Sequence, residues 1–524
     1  MTPLQQEQKL HPFILIASLL LIVIGLFWNL GLAPLYLEEP RRALVAIEML
    51  LRDNWIVPTQ AGDYYYRKPP VFNWLIIGGF KLFGNYSEWS IRFFSIISHL
   101  ATGGLVYWIG RKYVHREFGI LTGVLTVLSV DIFYFFSIVG GEIDLFYGLI
   151  SFALFIAIYR YYEQQKIYTL FIIVYLLGAL GALTKGLPSF AFLGISLLVF
   201  FSYKKDFWKL FHPAHFIGLG LFFGILGLYF YTYHQYHSLE EYLANLWSQS
   251  ADRTLKSGSW TFLKHIIAYP LETVFKNTMP ATLLIIFLWH KKFRQLIFSN
   301  PFITFCTYML ISNFALYWIS QGAKQRYLYM LYPFIVMICT YAYLKFEKQK
   351  DWRLQFLKIL AYAILGVGFL GFWAIPFIPQ FEFITYRWWI PIGLSVPLLG
   401  IFYFRKQIPA IWMIVLLLAI GRIAFDLTIL PVKAHKEIIA ERKQDAINVH
   451  EIVGDRMVKW FDHYDESAMS MTFYLTSYRS EIVNITNDKL SADYFIARPE
   501  FIREPFEVVY EFKGNDLVLF QFPD

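Results

Sequence analysis

Charge is scarce in this chain of 524 residues: Asp, Glu, Lys and Arg make up 16% of it, where a soluble domain usually carries about a quarter. Cysteine is scarcer still. Cys306 and Cys339 both fall inside apolar runs, which excludes a disulfide framework or a thiolate metal set and leaves two small buried hydrophobes. No GxxxxGK[ST] loop occurs and no GxGxxG follows a strand, so a bound nucleotide has no signature here. His234, His237 and His265 stand outside any HExxH spacing, so they do not read as a zinc set. An internal repeat and low-complexity tracts are also missing, which weighs against inverted-repeat transporter folds.

Hydrophobic residues fill the space, at 57% of the chain with 20% aromatic and a mean hydropathy of +0.47. Crossing roughly 30 Å of hydrocarbon takes about 20 apolar residues. Runs of that kind lie near 13–32, 89–110, 118–137, 143–161, 168–184, 187–203, 213–233, 272–289, 300–319, 327–344, 356–378, 388–404 and 408–430. They predict a polytopic α-helical membrane protein with about 13 transmembrane helices. The first run is long, opens weakly basic at Lys9 and His11 and lacks a small-residue cleavage site, so it reads as a retained span rather than a leader. The run at 70–83 is short and preceded by Arg67 and Lys68, which places it as an interfacial helix.

The net charge of +8 is spread in short clusters between the apolar runs, a membrane-topology pattern rather than a nucleic-acid patch. If 70–83 does not cross, one side collects Arg111/Lys112/Arg116, Arg160/Lys166, Lys204/Lys205/Lys209, Lys291/Lys292/Arg294, Lys345 to Arg353, and Arg405/Lys406. Every alternate loop is then basic, which puts the N-terminus in the cytoplasm and the C-terminus outside. After Pro431 charged residues of both signs mix with β-rich stretches at 480–486, 494–497, 507–512 and 517–522 and helical patterns at 434–449 and 467–478. The expected division is a membrane part, 1–430, with a long external loop at 33–88, and a small external α/β domain, 431–524.

The polar residues of interest gather on the external side. Leu37-Glu38-Glu39-Pro40-Arg41-Arg42 opens an amphipathic helix, and Trp55-Ile56-Val57-Pro58 leads to Tyr64-Tyr65-Tyr66-Arg67-Lys68-Pro69-Pro70. Acids in a first helical turn also arise from ordinary capping. Beside Arg41 and an Arg-Lys pair, they also offer a proton acceptor and a cationic seat for phosphate. Gly140-Gly141-Glu142-Ile143-Asp144 enters an apolar helix, where an acid either caps it or faces a wet cavity; Asp131 lies deeper and reads as structural or as part of the same cavity. Thr184-Lys185-Gly186-Leu187-Pro188 carries a lysine that either snorkels or serves the site. Ser320 to Tyr327 adds Lys324 and Arg326, Arg253 sits in a further external loop, and Arg422 with Asp426 have the i,i+4 spacing of a pair that lowers the cost of burial.

In order and sidedness, these motifs resemble the GT-C membrane glycosyltransferases, and within them the bacterial aminoarabinose (lipid A) transferases and the protein O-mannosyltransferases. The likeness runs over 12–345 as ordered motifs. It implies a polyprenyl-phosphate-linked sugar donor, a lipid, glycan or protein acceptor outside the cell, and a bacterial inner-membrane location. By the same resemblance Glu38 takes the place of the first catalytic acid, usually an Asp, and Asp144 that of the second. Arg41, Lys68 and Arg253 match residues that hold the carrier phosphate, with Tyr327 nearby, while Glu39, Tyr66, Lys185, Lys324 and Arg326 support the site. Aminoarabinose transferases can hold zinc between a glutamate just before the lysine and a histidine before the loop arginine. Arg67 and Gln249/Ser250 stand there instead, so no metal or other cofactor is expected. A protein O-glycosyltransferase using a polyprenyl-phosphate hexose is the alternative enzyme. A lipid or solute transporter, the alternative of another class, predicts charges near the midplane of the central spans, whereas the charges here collect at one face.

Overall fold

The computed structural model describes residues 11–137, 140–252, 259–289, 293–320, 322–346 and 351–523. Helix α1 (Pro12–Phe27) is followed by α2 (Glu39–Leu51), a short antiparallel hairpin of β1 (Thr59–Gln60) and β2 (Asp63–Tyr64), and α3 (Val71–Phe83). A bundle continues with α4 (Glu88–Tyr113), α5 (Arg116–Val127), α6 (Asp144–Glu163), α7 (Ile167–Lys185), α8 (Pro188–Tyr203) and α9 (Pro213–His234). Then come α10 (Leu239–Asp252), α11 (Ser259–Pro270), α12 (Phe293–Phe298), α13 (Pro301–Trp318), α14 (Tyr332–Phe346), α15 (Trp352–Ala374), α16 (Trp389–Tyr403) and α17 (Ala410–His435).

This is a multi-pass membrane protein. Among the described residues, seven helices are long and apolar enough to cross a bilayer, or eight if the bent pair Phe262–Lys276 and Ala281–Leu288 counts as one span. Each predicted run holds a helical segment, but length and composition do not establish thirteen crossings. Four apolar helices, α1, α3, α8 and α16, are shorter. Two of the predicted runs are broken. The run at 118–137 stops being α-helical after Val127 and resumes as a π-helical turn at Asp131–Phe136, while the one at 272–289 belongs to a pair bent by 110°. The two breaks satisfy each other: Val130 N–H donates to the Met279 carbonyl at 2.8 Å and Asp131 N–H to that of Asn277 at 3.3 Å. Irregular backbone among apolar helices persists only with partners of this kind.

The bundle has two polar ends. At one, α6 begins with Asp144 against Lys185, the last residue of α7. At the other, Glu163, the last residue of α6, meets Lys204 beyond the end of α8 at 2.8 Å. The predicted pair in α17 is present and buried, Arg422 Nε to Asp426 Oδ1 at 2.8 Å, and Arg422 also donates to Ser137 Oγ at 2.7 Å.

Helix α17 runs through Pro431 to His435 rather than ending there. Beyond it, α18 (Ile438–Val453), β3 (Val458–Phe461), α19 (Met469–Arg479), β4 (Ile485–Thr486), β5 (Tyr494–Ala497), β6 (Glu507–Glu511) and β7 (Val518–Gln521) form a small α/β unit. Its five-stranded sheet has the order β4-β3-β5-β7-β6, with β3 parallel to both neighbours and the rest antiparallel. Strand β3 was not anticipated. The unit does not hang free, because Ile47 of α2 and Phe72 and Ile76 of α3 share one buried apolar cluster with Trp460, Phe473 and Leu519. At roughly 1.5–3 kcal/mol per fully buried large side chain, this shared core ties the unit firmly to the 33–88 segment. Polar contacts follow the same seam: Tyr474 Oη donates to Glu88 at 2.7 Å and accepts the Leu35 N–H at 2.8 Å, and Lys443 meets Glu88 at 2.6 Å.

Candidate active site

The acidic pair that opens α2 divides its labour. Glu39 is completely buried, and its two oxygens each accept from Arg92 of α4 at 2.8 Å, one from Nε and one from Nη2. It also accepts the N–H groups of Tyr36 at 3.1 Å and Gly141 at 2.7 Å. Position 141 needs glycine, since a Cβ there would lie 3.0 Å from Glu39 Oε1 and 2.6 Å from Ile91. Arg92 in turn donates to the carbonyls of Leu30, Ala33 and Pro34. One buried ion pair therefore locks the end of the first helical region, the start of α2 and the 140–143 turn together.

Glu38 keeps 29% of its side chain exposed and pairs with Arg41 at 2.7 Å and Arg42 at 4.0 Å. Burial alone would raise its carboxyl, but Arg41, Arg42, Arg326 and Lys324 outweigh that and hold it below the ordinary value. Leu37, just before it, adopts a φ of +57°, a conformation uncommon outside glycine.

The second acid group stands at the head of α6. Asp144 is buried and meets Lys185 Nζ at 2.5 Å and Arg326 Nε at 3.3 Å. Glu142 meets the same guanidinium at 2.8 Å. Burial, and after it the neighbouring Asp144, Glu39 and Glu38, push the Glu142 carboxyl up against the opposing pull of Arg326. The Lys185 ammonium lies 4.3 Å from the Tyr327 ring centroid and 4.9 Å from that of Tyr147, so aromatic faces complete its burial. Lys324 and Arg326 line a cavity of ≈450 Å³ together with Asp131, His265 and Glu272; Asp131 accepts from Tyr329 Oη at 2.7 Å.

A third group comes from the hairpin and the C-terminal unit. Glu466 joins two cations, Arg41 at 2.8 Å and Arg67 at 2.6 Å. The hairpin itself is held by buried Glu48, which accepts Thr59 Oγ1 at 2.7 Å and the N–H groups of Ala61 at 2.6 Å and Gly62 at 3.2 Å. Lys68 follows, half-buried. Tyr66 Oη lies 2.7 Å from His237 Nε2 and donates to Glu241 at 2.9 Å; burial and the Glu241 hydrogen bond push its pKa up to about 12. Arg253 and the side chains of Gln249 and Ser250 lie outside the described residues.

The structure thus brings Glu38, Arg41, Asp144, Lys185, Lys324, Arg326 and Tyr327 into one electrostatic neighbourhood, with Tyr66 and the Arg67-Lys68 pair on the adjoining hairpin. Arg92, Glu48 and Glu466 were not singled out in the sequence. Arg92 had a signal, as a lone arginine entering an apolar span; Glu466 had none, because its partners lie about four hundred residues away. The position a zinc-binding glutamate takes in the resembling enzymes does not suit a metal here. Arg67 has no lone pair to give, and its guanidinium is bound to Glu466. Among the described residues no group of three His, Cys, Asp or Glu side chains converges.

Comparison with known proteins gives matches of different reach. The family model described as dolichyl-phosphate-mannose-protein mannosyltransferase matches residues 67–230. An uncharacterized protein of Aquifex aeolicus is 34% identical over 113 residues, 22% of this chain and 27% of that protein. The undecaprenyl phosphate-alpha-4-amino-4-deoxy-L-arabinose arabinosyl transferase of Wigglesworthia glossinidia brevipalpis is 26% identical over 171 residues, 32% of this chain and 30% of that one. The chain spans less than half the length of these curated relatives. Over nearly the whole chain the fold is that of ArnT from Cupriavidus metallidurans, in the apo state (17% identity, TM-score 0.71) and bound to undecaprenyl phosphate (16%, 0.69), covering 97% of this chain and 99% of that one. The chain thus shares its fold with ArnT over nearly its whole length and is similar, over residues 67–230, to the dolichyl-phosphate-mannose-protein mannosyltransferase family.

Proposed function

We propose that this protein is a glycosyltransferase that moves a sugar from a polyprenyl-phosphate donor to an acceptor outside the cell, in the manner of a 4-amino-4-deoxy-L-arabinose transferase acting on lipid A or another cell-envelope glycan. The observation that carries the reading is the chain of alternating acids and cations, Glu466–Arg41–Glu38 beside Glu142–Arg326–Asp144–Lys185. It sits at the end of the bundle opposite Glu163 and Lys204. Departure of a polyprenyl phosphate concentrates negative charge on the leaving oxygen, and Arg41, Lys68 and Arg253 are the cations that would stabilise it. Glu38, ionised and partly open, would offset positive charge on the sugar ring or take a proton from a hydroxyl acceptor. Asp144 has both oxygens engaged by cations, so it would act through Lys185 and Arg326, setting where their charge lies, with Tyr327 covering the ammonium. The undecaprenyl phosphate bound by the ArnT structure supports the donor class, and the alternating basic loops support an inner-membrane protein with a cytoplasmic N-terminus and an external site.

The description of the family model over 67–230 favours one second reading, a protein O-glycosyltransferase using a polyprenyl-phosphate hexose. Purified protein in nanodiscs, supplied with undecaprenyl-phosphate-linked aminoarabinose or hexose and with lipid A or acceptor peptide, tells the two apart by mass spectrometry of the product. Glu38→Gln is expected to cut turnover at least about 100-fold with lipid binding kept, because an amide retains shape and loses charge. Lys68→Ala should weaken undecaprenyl phosphate binding by roughly 1.5–3 kcal/mol. Failure of the wild-type protein to release undecaprenyl phosphate from either donor would remove the reading.

A further inference from the structure

Beyond Arg41 the chain of charges opens into a second cleft, of ≈380 Å³, enclosed by the β1–β2 hairpin, α10 and the loop at 462–466. Its lining includes Tyr64, Arg67, Asn245, Asp462, His463 and Glu466. Tyr64 is the notable wall. Its ring stacks on His237 with centroids 3.6 Å apart and planes 16° from parallel, yet 49% of the residue stays exposed. His237 is held in turn by Tyr66 Oη at 2.7 Å and by Glu241 at 3.3 Å. The cleft therefore owns a flat apolar platform whose orientation is set before any ligand arrives, ringed by hydrogen-bond acceptors.

Charge decides what fits. Among the lining residues the carboxylates of Asp63, Asp462 and Glu466 outnumber the one guanidinium, Arg67, and Glu466 is shared between Arg67 and Arg41. A phosphate entering here meets net repulsion, whereas hydroxyl or ammonium groups meet acceptors. A rigid aromatic face suits the C–H face of a sugar ring and excludes water from it, and the volume falls at the small end of ligand pockets. The cleft also touches the candidate active site directly: Glu466 binds Arg41 at 2.8 Å, and Arg41 binds Glu38 at 2.7 Å.

We propose that this cleft is the acceptor-side subsite and that it takes a hydroxyl-rich, neutral or aminated sugar unit rather than a phosphate group. The word acceptor rests on the glycosyltransferase reading; the ligand chemistry rests on the cleft alone. The full-length protein in nanodiscs would be applied to an array of neutral, aminated and phosphorylated oligosaccharides, with donor turnover measured separately as release of undecaprenyl phosphate. Neutral and aminated sugars should bind, phosphorylated ones more weakly. Tyr64→Ala should weaken the first two about fivefold or more. Asp462 is exposed, so Asp462→Lys should leave the fold intact and shift preference toward phosphorylated sugars. Absence of sugar binding, a wild-type preference for phosphorylated sugars, or binding unchanged in both variants would overturn the proposal. A protein that turns over donor normally but shows any of those results loses only this subsite; one that binds the sugars but never turns over donor loses only the glycosyltransferase reading.

Discussion

Glu39 and Arg92 show why a single residue can matter without touching any reacting atom. Both are buried to within about 1% exposure and each completes the other's hydrogen bonding, so neutralising one strands the opposite charge in an apolar surrounding. Glu39→Gln should therefore cost about 3–5 kcal/mol, read as a lower melting temperature in detergent, while the double change with Arg92→Met should recover part of it. Equal melting of the single variant and the wild type would deny the lock. Glu142 carries a prediction in pH. Its folded carboxyl is raised by burial, so the folded state holds the proton more tightly than the unfolded one, and stability from this group falls as pH rises above the ordinary carboxylate range. Only the ionised form holds Arg326 by charge, so transfer should rise through the same window. Glu142→Gln should flatten both dependences, and an unchanged acid limb in its rate profile would assign that limb elsewhere. In the sequence, Glu38, Arg41, Asp144, Lys185 and Arg326 were visible because each stands at or near the edge of an apolar stretch, where a charge is conspicuous. That Asp144 has both oxygens ion-paired was not, since two of the three groups involved come from other helices.

The elements that carry these residues are positioned by polar groups no periodicity reveals. The hairpin between α2 and α3 is two residues per strand, too short to be stable alone, and Glu48 supplies what the strands cannot. Glu48→Ala leaves the Thr59 hydroxyl and the Ala61 and Gly62 amides without their acceptor, at about 1–3 kcal/mol for each buried group. The expected result is faster hydrogen exchange over residues 59–68 and weaker undecaprenyl phosphate binding, with the helical bundle unchanged. Unaltered exchange there would mean the hairpin is held by its neighbours instead. Helices with an unbroken apolar run, such as α7 or α9, were plain from composition. The broken runs near 128–131 and 277–280 read as continuous spans, because the partners that allow the break are backbone groups from distant segments.

At the scale of the whole molecule, everything proposed for the chemistry depends on which face of the membrane the acids occupy. The two polar ends of the bundle make this measurable. Trp208 lies 80% exposed beyond α8, near the Lys204–Glu163 end, and Leu490, 95% exposed, lies in the α/β unit that shares a core with the 33–88 segment and lends Glu466 to the site. Both native cysteines are buried, so a membrane-impermeant maleimide should meet little background. With Leu490→Cys, labelling is expected in intact spheroplasts; with Trp208→Cys, only in inverted vesicles, as alternate basic loops require. The reverse pattern would turn the molecule over and place the acids in the cytoplasm, where a polyprenyl-linked donor would have no advantage over a soluble nucleotide sugar. The same labelling reports on the union of the two parts. If the shared apolar core is as extensive as its buried Trp460 and Phe473 indicate, removing residues 438–524 should expose Ile47, Phe72 and Ile76 to water and make the 33–88 loop sensitive to protease from the side that labels Leu490→Cys. A truncated protein that keeps that loop protected and still binds undecaprenyl phosphate would show the α/β unit to be an appendage rather than a wall of the site.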